Sequence, residues 1–179
     1  STLFPYTTLF RSKEGQARPL VAKEEKIVVT GKTPADFVSR GITPMQSASL
    51  LLILVAGISI YGIRRGKTLW GIDLILFLVA GMAGCILAFL ALFSQHPAVS
   101  PNYILFVFHP FHLFCLPFML SRVRKREISR YMLVNFVVLT LFIGLWTIIP
   151  QRIPPAVLPL ALCLLIRSAS NLILTYKRK

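Results

Sequence analysis

The chain has 179 residues, of which 55% are hydrophobic and only 15% are charged, and its mean hydropathy is +0.71. These values exclude an ordinary water-soluble domain and are typical of a membrane protein. The 20 Lys and Arg residues outnumber the 6 Asp and Glu residues and give a net charge of +14. Because most of the basic residues lie in short segments between the apolar runs or after the last of them, where membrane topology selects for them, we predict no nucleic-acid partner.

We expect the first twelve residues to differ in origin from the rest. Thr2 to Ser12, TLFPYTTLFRS, resembles the codon-for-codon translation of a common sequencing-adapter oligonucleotide. Such processing scars carry no information about the fold, and we interpret residues 1–12 as an adapter-derived artefact. The chain also begins with Ser1 rather than Met, so we expect it to be a fragment whose N-terminal part is missing.

Residues 13–45 form a polar segment ahead of the first apolar run. The segment mixes acidic and basic side chains with Gly and Pro, and its one strand candidate is Lys26 to Thr30. It has too little apolar surface to bury a core by itself. We interpret it as the end of a missing periplasmic domain or as a linker into the membrane.

Residues 46–176 contain apolar runs that predict five transmembrane helices and an all-α fold. Each run is close to the roughly 20 residues that cross a hydrocarbon layer of about 30 Å. Runs of this length must be helical, because lipid offers no partner to free backbone groups. The predicted spans are Gln46 to Ile63, Leu69 to Phe93, Tyr103 to Leu120, Tyr131 to Ile149 and Ala156 to Tyr176.

The loop charges predict the orientation of these spans. The first and third connections and the C-terminal tail, residues 177–179, are strongly basic, whereas the second connection has no Lys or Arg and the fourth has only Arg152. By the positive-inside rule the basic side is cytoplasmic, so the N-terminus lies outside and the C-terminus in the cytoplasm. A translocated N-terminal domain requires a signal upstream, in agreement with the expected truncation.

Two charged residues lie inside predicted spans. Arg167 is near the middle of the fifth span, and Asp73 is about one turn inside the cytoplasmic end of the second. A charge in this environment costs about 3 kcal/mol without a partner. We predict an intramembrane charge pair between Asp73 and Arg167 that holds the two helices together in a structural role. The second span also carries a stripe of small residues that favours close helix approach, at Ala80, Gly84 and Ala88.

The predicted outer side carries an unusual motif of proline, histidine and asparagine. Its residues are His96, Pro97, Pro101, Asn102, His109, Pro110 and His112. Pro110 and Pro117 remove backbone donors and predict a kinked or interrupted third helix. His109 and His112 share a helix face at this spacing, which is compatible with a metal or proton-relay site or with two neutral imidazoles bonded to the kinked backbone. The surroundings favour the second alternative, and we predict no metal and no cofactor.

The segments SQHPAVSPNYILFVFHPFH, RVRKR and IPQRIPPAVLPLALCLLIRSAS resemble the five-helix membrane domain of Lnb-type lipoprotein N-acyltransferases over residues 44–176. The resemblance implies a periplasmic domain with a Cys-His pair that moves an acyl chain within a diacylated lipoprotein to the amine of its N-terminal cysteine. His109 departs from the family pattern, which has Asn there. None of the three cysteines, Cys85, Cys115 and Cys163, lies in a soluble segment, so none is assigned as the nucleophile.

The resemblance predicts that this chain anchors the missing catalytic domain in the bacterial inner membrane, presents the lipoprotein substrate and contains no catalytic residue itself. A non-enzymatic membrane anchor or an accessory subunit of a transporter is the alternative. A third possibility, an autonomous enzyme that uses His109 and His112, lacks an identifiable base and orienting group. The expected partners are membrane lipids and, by resemblance, the lipoprotein; the sequence does not determine the oligomeric state.

Overall fold

The computed structural model describes residues 10–11, 17–18, 41–93 and 102–177. The chain divides into two compact units, Ser1–Arg40 and Gly41–Lys179. In the first unit, strands β1 (Phe10–Arg11) and β2 (Ala17–Arg18) pair in antiparallel register. The predicted strand Lys26 to Thr30 lies outside the described residues.

The described part of the second unit is helical. Its first, second and last long helices begin and end within two residues of the predicted first, second and fifth spans. The elements are α1 (Pro44–Arg65), α2 (Trp70–Phe93), a 3-10 helix (Tyr103–Phe106), α3 (Phe111–Phe114), α4 (Leu116–Lys125), α5 (Arg130–Gly144) and α6 (Val157–Tyr176).

Local sequence fixes both ends of α1. Thr43 is the N-cap, and its side chain and that of Gln46 form a reciprocal capping box. Pro44 occupies the first helical position, where the N–H that proline lacks would have no partner within the helix. Gly66 ends the helix with φ at 61°, a left-handed conformation that glycine adopts at low cost.

The third apolar run is not one continuous helix. The 3-10 helix and α3 together bend by 78° relative to α4, and α4 extends the segment to Lys125, beyond the predicted end at Leu120. The predicted interruption is present: Pro110 is the N-cap of α3 and Pro117 lies in the first turn of α4. Neither proline has an N–H to continue a helical ladder across these positions.

The fourth apolar run also forms a shorter helix than predicted. α5 ends at Gly144, and residues 145–148 are in turns, so the prediction of a helix to Ile149 is wrong. Its 15 residues extend about 22 Å. By length and composition, three described helices can cross a membrane, or four when the bent third segment counts as one span.

Contacts between loops define two ends of the helical unit. The Arg126 guanidinium donates to the Gly66 carbonyl and Arg124 stacks over Trp70 at 4.9 Å, which joins the first and third connections at one end, here called the basic end. At the opposite end, the Tyr103 N–H donates to Gln151 Oε1 at 2.8 Å. The third and fourth segments therefore each run from one end of the unit to the other, despite the bend and the short helix.

α6 is the most buried of the long helices, and it packs mainly against α1 and α5. α2 packs instead against α3 and α4, and the close approach uses two glycines. A Cβ at Gly84 would lie 2.6 Å from the carbonyl carbon of His109, and one at Gly81 would lie 2.7 Å from the Leu113 amide nitrogen. The predicted stripe of small residues thus includes, at Gly84, a site of direct backbone contact.

We expect Gly84→Ala to destabilise the protein, because the new methyl group would push α2 away from the His109 backbone. Overpacking of this kind costs about 1–3 kcal/mol. Equilibrium unfolding in mixed detergent micelles measures the change.

The matched control is Gly57→Ala in α1, where a Cβ meets nothing within 4 Å. This variant gains helix propensity and should unfold at the same or slightly higher denaturant concentration. Equal losses in both variants would show that the α2–α3 approach is not the cause.

Candidate functional site

The structure brings the two predicted intramembrane charges into direct contact. Arg167 Nε donates to Asp73 Oδ1 at 2.7 Å and Arg167 Nη2 donates to Asp73 Oδ2 at 3.1 Å. The two side chains are almost completely buried, with 0% of Asp73 and 1% of Arg167 exposed. This fork-to-carboxylate arrangement is the strongest geometry available to an Arg–Asp pair.

Two further side chains complete the polar cluster, and sequence reasoning missed both. Ser59 Oγ on α1 accepts from Arg167 Nη1 at 3.0 Å, and Asn171 Nδ2 on α6 donates to Asp73 Oδ2 at 2.9 Å. The available signal was the spacing of Arg167 and Asn171, four residues apart on one face of an apolar helix. Ser59 carries no comparable signal, because a single serine is unexceptional in a membrane helix.

The cluster explains how α2 stays attached to α6. The two helices touch at few other positions, and α6 carries both the arginine and the asparagine that hold Asp73. On another part of the same helix, Asn135 Nδ2 of α5 donates to Ser168 Oγ at 2.8 Å. Polar contacts between buried side chains therefore connect α6 to α1, α2 and α5, as is common where lipid removes the hydrophobic driving force between helices.

A second polar cluster forms around His112 at the break in the third segment. His112 Nε2 lies 2.9 Å from the Val107 carbonyl oxygen, and its Nδ1 lies 2.7 Å from the Tyr131 hydroxyl. A carbonyl can only accept, so Nε2 carries the proton and donates, and Nδ1 accepts from Tyr131. The imidazole is thus held as one neutral tautomer that satisfies a carbonyl at the break.

His109 stacks directly on His112, as the predicted shared face requires. The ring centroids are 3.8 Å apart and the planes differ by 19°. His109 Nδ1 is buried without a hydrogen-bond partner. Within residues 41–93 and 102–177, no group of three His, Cys, Asp or Glu side chains is placed to bind a metal ion. The hydrogen bonds of the pair within these residues are those of His112, to the Val107 carbonyl and the Tyr131 hydroxyl.

Of the remaining motif residues, the structure describes Asn102. His96, Pro97 and Pro101 lie outside the described residues. Asn102 lies at the end opposite the basic end, where its Oδ1 accepts from the Ile104 amide at 3.1 Å and caps the 3-10 helix.

His112 lies much nearer the basic end than the predicted outer-side motif implies. It contacts Tyr131 in the first turn of α5 and packs edge-on against Phe77, about 10 Å along α2 from Trp70.

An apolar recess lies beside Tyr103, at the same end as Asn102. Its volume is about 350 Å³, and aromatic and aliphatic side chains of the third and fourth segments line it. Tyr103 and Phe106 form one wall, and Phe142 and Leu145 belong to the other. None of the described residues that line the recess is charged.

A comparison with protein families matches residues 36–179 to a family model described as the Lnb transmembrane domain, whose label specifies five transmembrane helices. The match covers the whole helical unit, including the two polar clusters. No curated protein and no solved structure was found to match the chain.

We expect Asp73→Asn to be strongly destabilising. The substitution leaves the Arg167 guanidinium buried without a counter-charge, which costs about 3–5 kcal/mol. Urea or SDS titration of the purified protein in micelles measures the loss.

Two comparisons make this test specific. The double variant Asp73→Leu with Arg167→Met removes both charges and should recover most of the lost stability. Glu127→Gln breaks the exposed pair with Arg122 and should cost no more than about 1 kcal/mol. Unchanged stability and assembly in Asp73→Asn would contradict the proposed attachment of α2 to α6.

We also expect Tyr131→Phe to destabilise the protein while the proton of His112 stays on Nε2, because the Val107 carbonyl still accepts from it. Loss of the hydroxyl removes the donor to Nδ1 and costs about 1–3 kcal/mol for the unpaired buried nitrogen. In the unaltered protein, ¹⁵N NMR should show a protonated Nε2 and an unprotonated Nδ1. Tyr61→Phe, at an exposed position on α1, is the control. A protonated Nδ1 in the unaltered protein would contradict the assigned hydrogen bonds.

Proposed function

The chain belongs to the Lnb transmembrane-domain family, and from this premise we propose that it is the membrane domain of a bacterial lipoprotein N-acyltransferase. The family match carries the proposal. In this scheme the chain is a multi-pass protein of the inner membrane, and the acyl-transfer chemistry belongs to a periplasmic domain encoded upstream. The described helices contribute anchoring and substrate placement rather than a catalytic group.

The proposed topology has five crossings, with the N-terminus outside and the C-terminus in the cytoplasm. The loop contacts support it: Arg126 and Gly66 meet at the basic end, and Tyr103 and Gln151 meet at the other. In this topology the bent third segment and the segment that contains the short α5 each cross the membrane once. A broken or short helix can do so where the protein buries the non-helical backbone. The positive-inside rule assigns the basic end to the cytoplasm.

The proposed substrate site is at the outer end, around Asn102 and the adjoining recess. A diacylated lipoprotein carries acyl chains in the outer leaflet of the inner membrane, and the recess beside Tyr103 and Phe106 has the size and apolar lining that a chain requires. Holding the lipid anchor there would place the lipoprotein amine near the catalytic domain and convert a two-dimensional search into a positioned reaction.

The test uses the full-length parent, after the upstream reading frame has been recovered. That frame should encode a signal peptide and a domain containing a Cys and a His; an upstream transporter or sensor domain would instead support the alternative of an accessory membrane module. In the parent, we expect Asn102→Ala and His96→Ala each to reduce lipoprotein N-acylation at least about tenfold, because small displacements of bound reactants are costly.

Mass spectrometry of the lipoprotein N-terminus gives the readout, with protein abundance measured in the same membranes. Lys67→Gln, at the basic end, is the matched control and should acylate normally. Unchanged acylation in both His96→Ala and Asn102→Ala would contradict the substrate-placement role.

A further inference from the structure

A large cleft lies at the basic end, between the last turns of α4 and the first turn of α5. Its volume is about 940 Å³. Basic side chains line it near the loop, at Arg122, Lys125 and Arg130, and Phe118 lines it about two turns deeper along α4. The lining of the cleft is therefore charged near the loop and apolar farther from the loop along α4.

The positive charges around this loop are divided between two roles. Arg124 stacks over Trp70 and Arg126 donates to the Gly66 carbonyl, so both hold the first and third connections together. Of the described residues that line the cleft, three are basic and one, Glu127, is acidic; Glu127 pairs with Arg122. The lining that these residues contribute thus has an excess of positive charge. Topology selects for basic residues near a membrane surface but does not require that three of them converge on one cavity.

We propose that this cleft binds one anionic glycerophospholipid. Guanidinium and ammonium groups at Arg122, Lys125 and Arg130 would hold the phosphate, with α5 directing its N-terminus toward the same space. One acyl chain would follow α4 past Phe118, whose side chain is 77% exposed. A zwitterionic head group fits poorly, because its ammonium would enter a cleft that is already positive.

Basic pockets between transmembrane helices at the cytoplasmic side are suited to anionic head groups. This inference does not use the proposed acyl-transfer function, since it rests only on the cleft at the opposite end from Asn102. The bound lipid would join α4, the basic loop and α5 at the point where two basic connections meet.

The test measures lipid retained by the full chain in detergent. The protein is incubated with mixed micelles containing phosphatidylglycerol or phosphatidylcholine, and native mass spectrometry counts the lipids bound per chain. We expect one phosphatidylglycerol to be retained, with at least about tenfold preference over phosphatidylcholine. Equal retention of the two lipids would overturn the proposal.

Variants of the cleft separate a defined site from general attraction between charges. Arg130→Gln and Lys125→Gln should each weaken phosphatidylglycerol retention about fivefold, as expected for loss of one basic contact at a membrane surface. Arg124→Gln removes the same charge from the same loop outside the cleft and should change retention less than twofold. An equal loss in Arg124→Gln would overturn the proposal, because the attraction would then be diffuse.

A final comparison distinguishes a lipid from a free phosphate. Phe118→Gln should lower phosphatidylglycerol retention, and inorganic phosphate at the lipid's concentration should not displace the lipid. Displacement by inorganic phosphate, or full retention in Phe118→Gln, would show that the cleft recognises the anion alone and would overturn the assignment of a lipid.

Discussion

A hydrocarbon layer provides no hydrogen-bond partner, so the charged groups that this chain carries into its helical core depend on partners within the protein. Arg167 is the most demanding of these groups, because its guanidinium has five donors and is always charged. Asp73 and Ser59 accept from it, and Asn171 in turn supports Asp73. These contacts bring together α1, α2 and α6.

The same constraint explains the break in the third segment. Pro110 and Pro117 prevent a continuous helix, and an interrupted helix leaves carbonyl groups without their usual partners. His112 donates to one of them, at Val107, and Tyr131 holds the imidazole in the tautomer that can do so. Gly84 permits the close approach of α2 to the His109 backbone. The hydrogen bonds of His112 to Val107 and Tyr131 therefore give this histidine a role in satisfying the backbone at the break.

Sequence reasoning located α1, α2 and α6, because each is a long run of apolar residues. It also found Asp73 and Arg167, because a charged residue stands out within such a run. It did not find Ser59, Asn171 or Tyr131. Small polar residues cost little in a membrane helix, and a tyrosine near a span end resembles an interfacial anchor. The break in the third segment was predicted from Pro110 and Pro117, but the size of its bend, 78°, was not. The end of α5 at Gly144 was missed, because it depends on packing between segments, which hydropathy does not report.

The central claim is that the chain crosses the membrane five times and places its second and fourth connections outside. Single cysteines introduced into a cysteine-free background test it most directly, at Ser100→Cys, Arg152→Cys and Glu127→Cys. An impermeant maleimide added to intact cells should label the first two and should label Glu127→Cys only after the inner membrane is opened. Labelling of Ser100→Cys or Arg152→Cys only after opening would contradict the five-crossing topology.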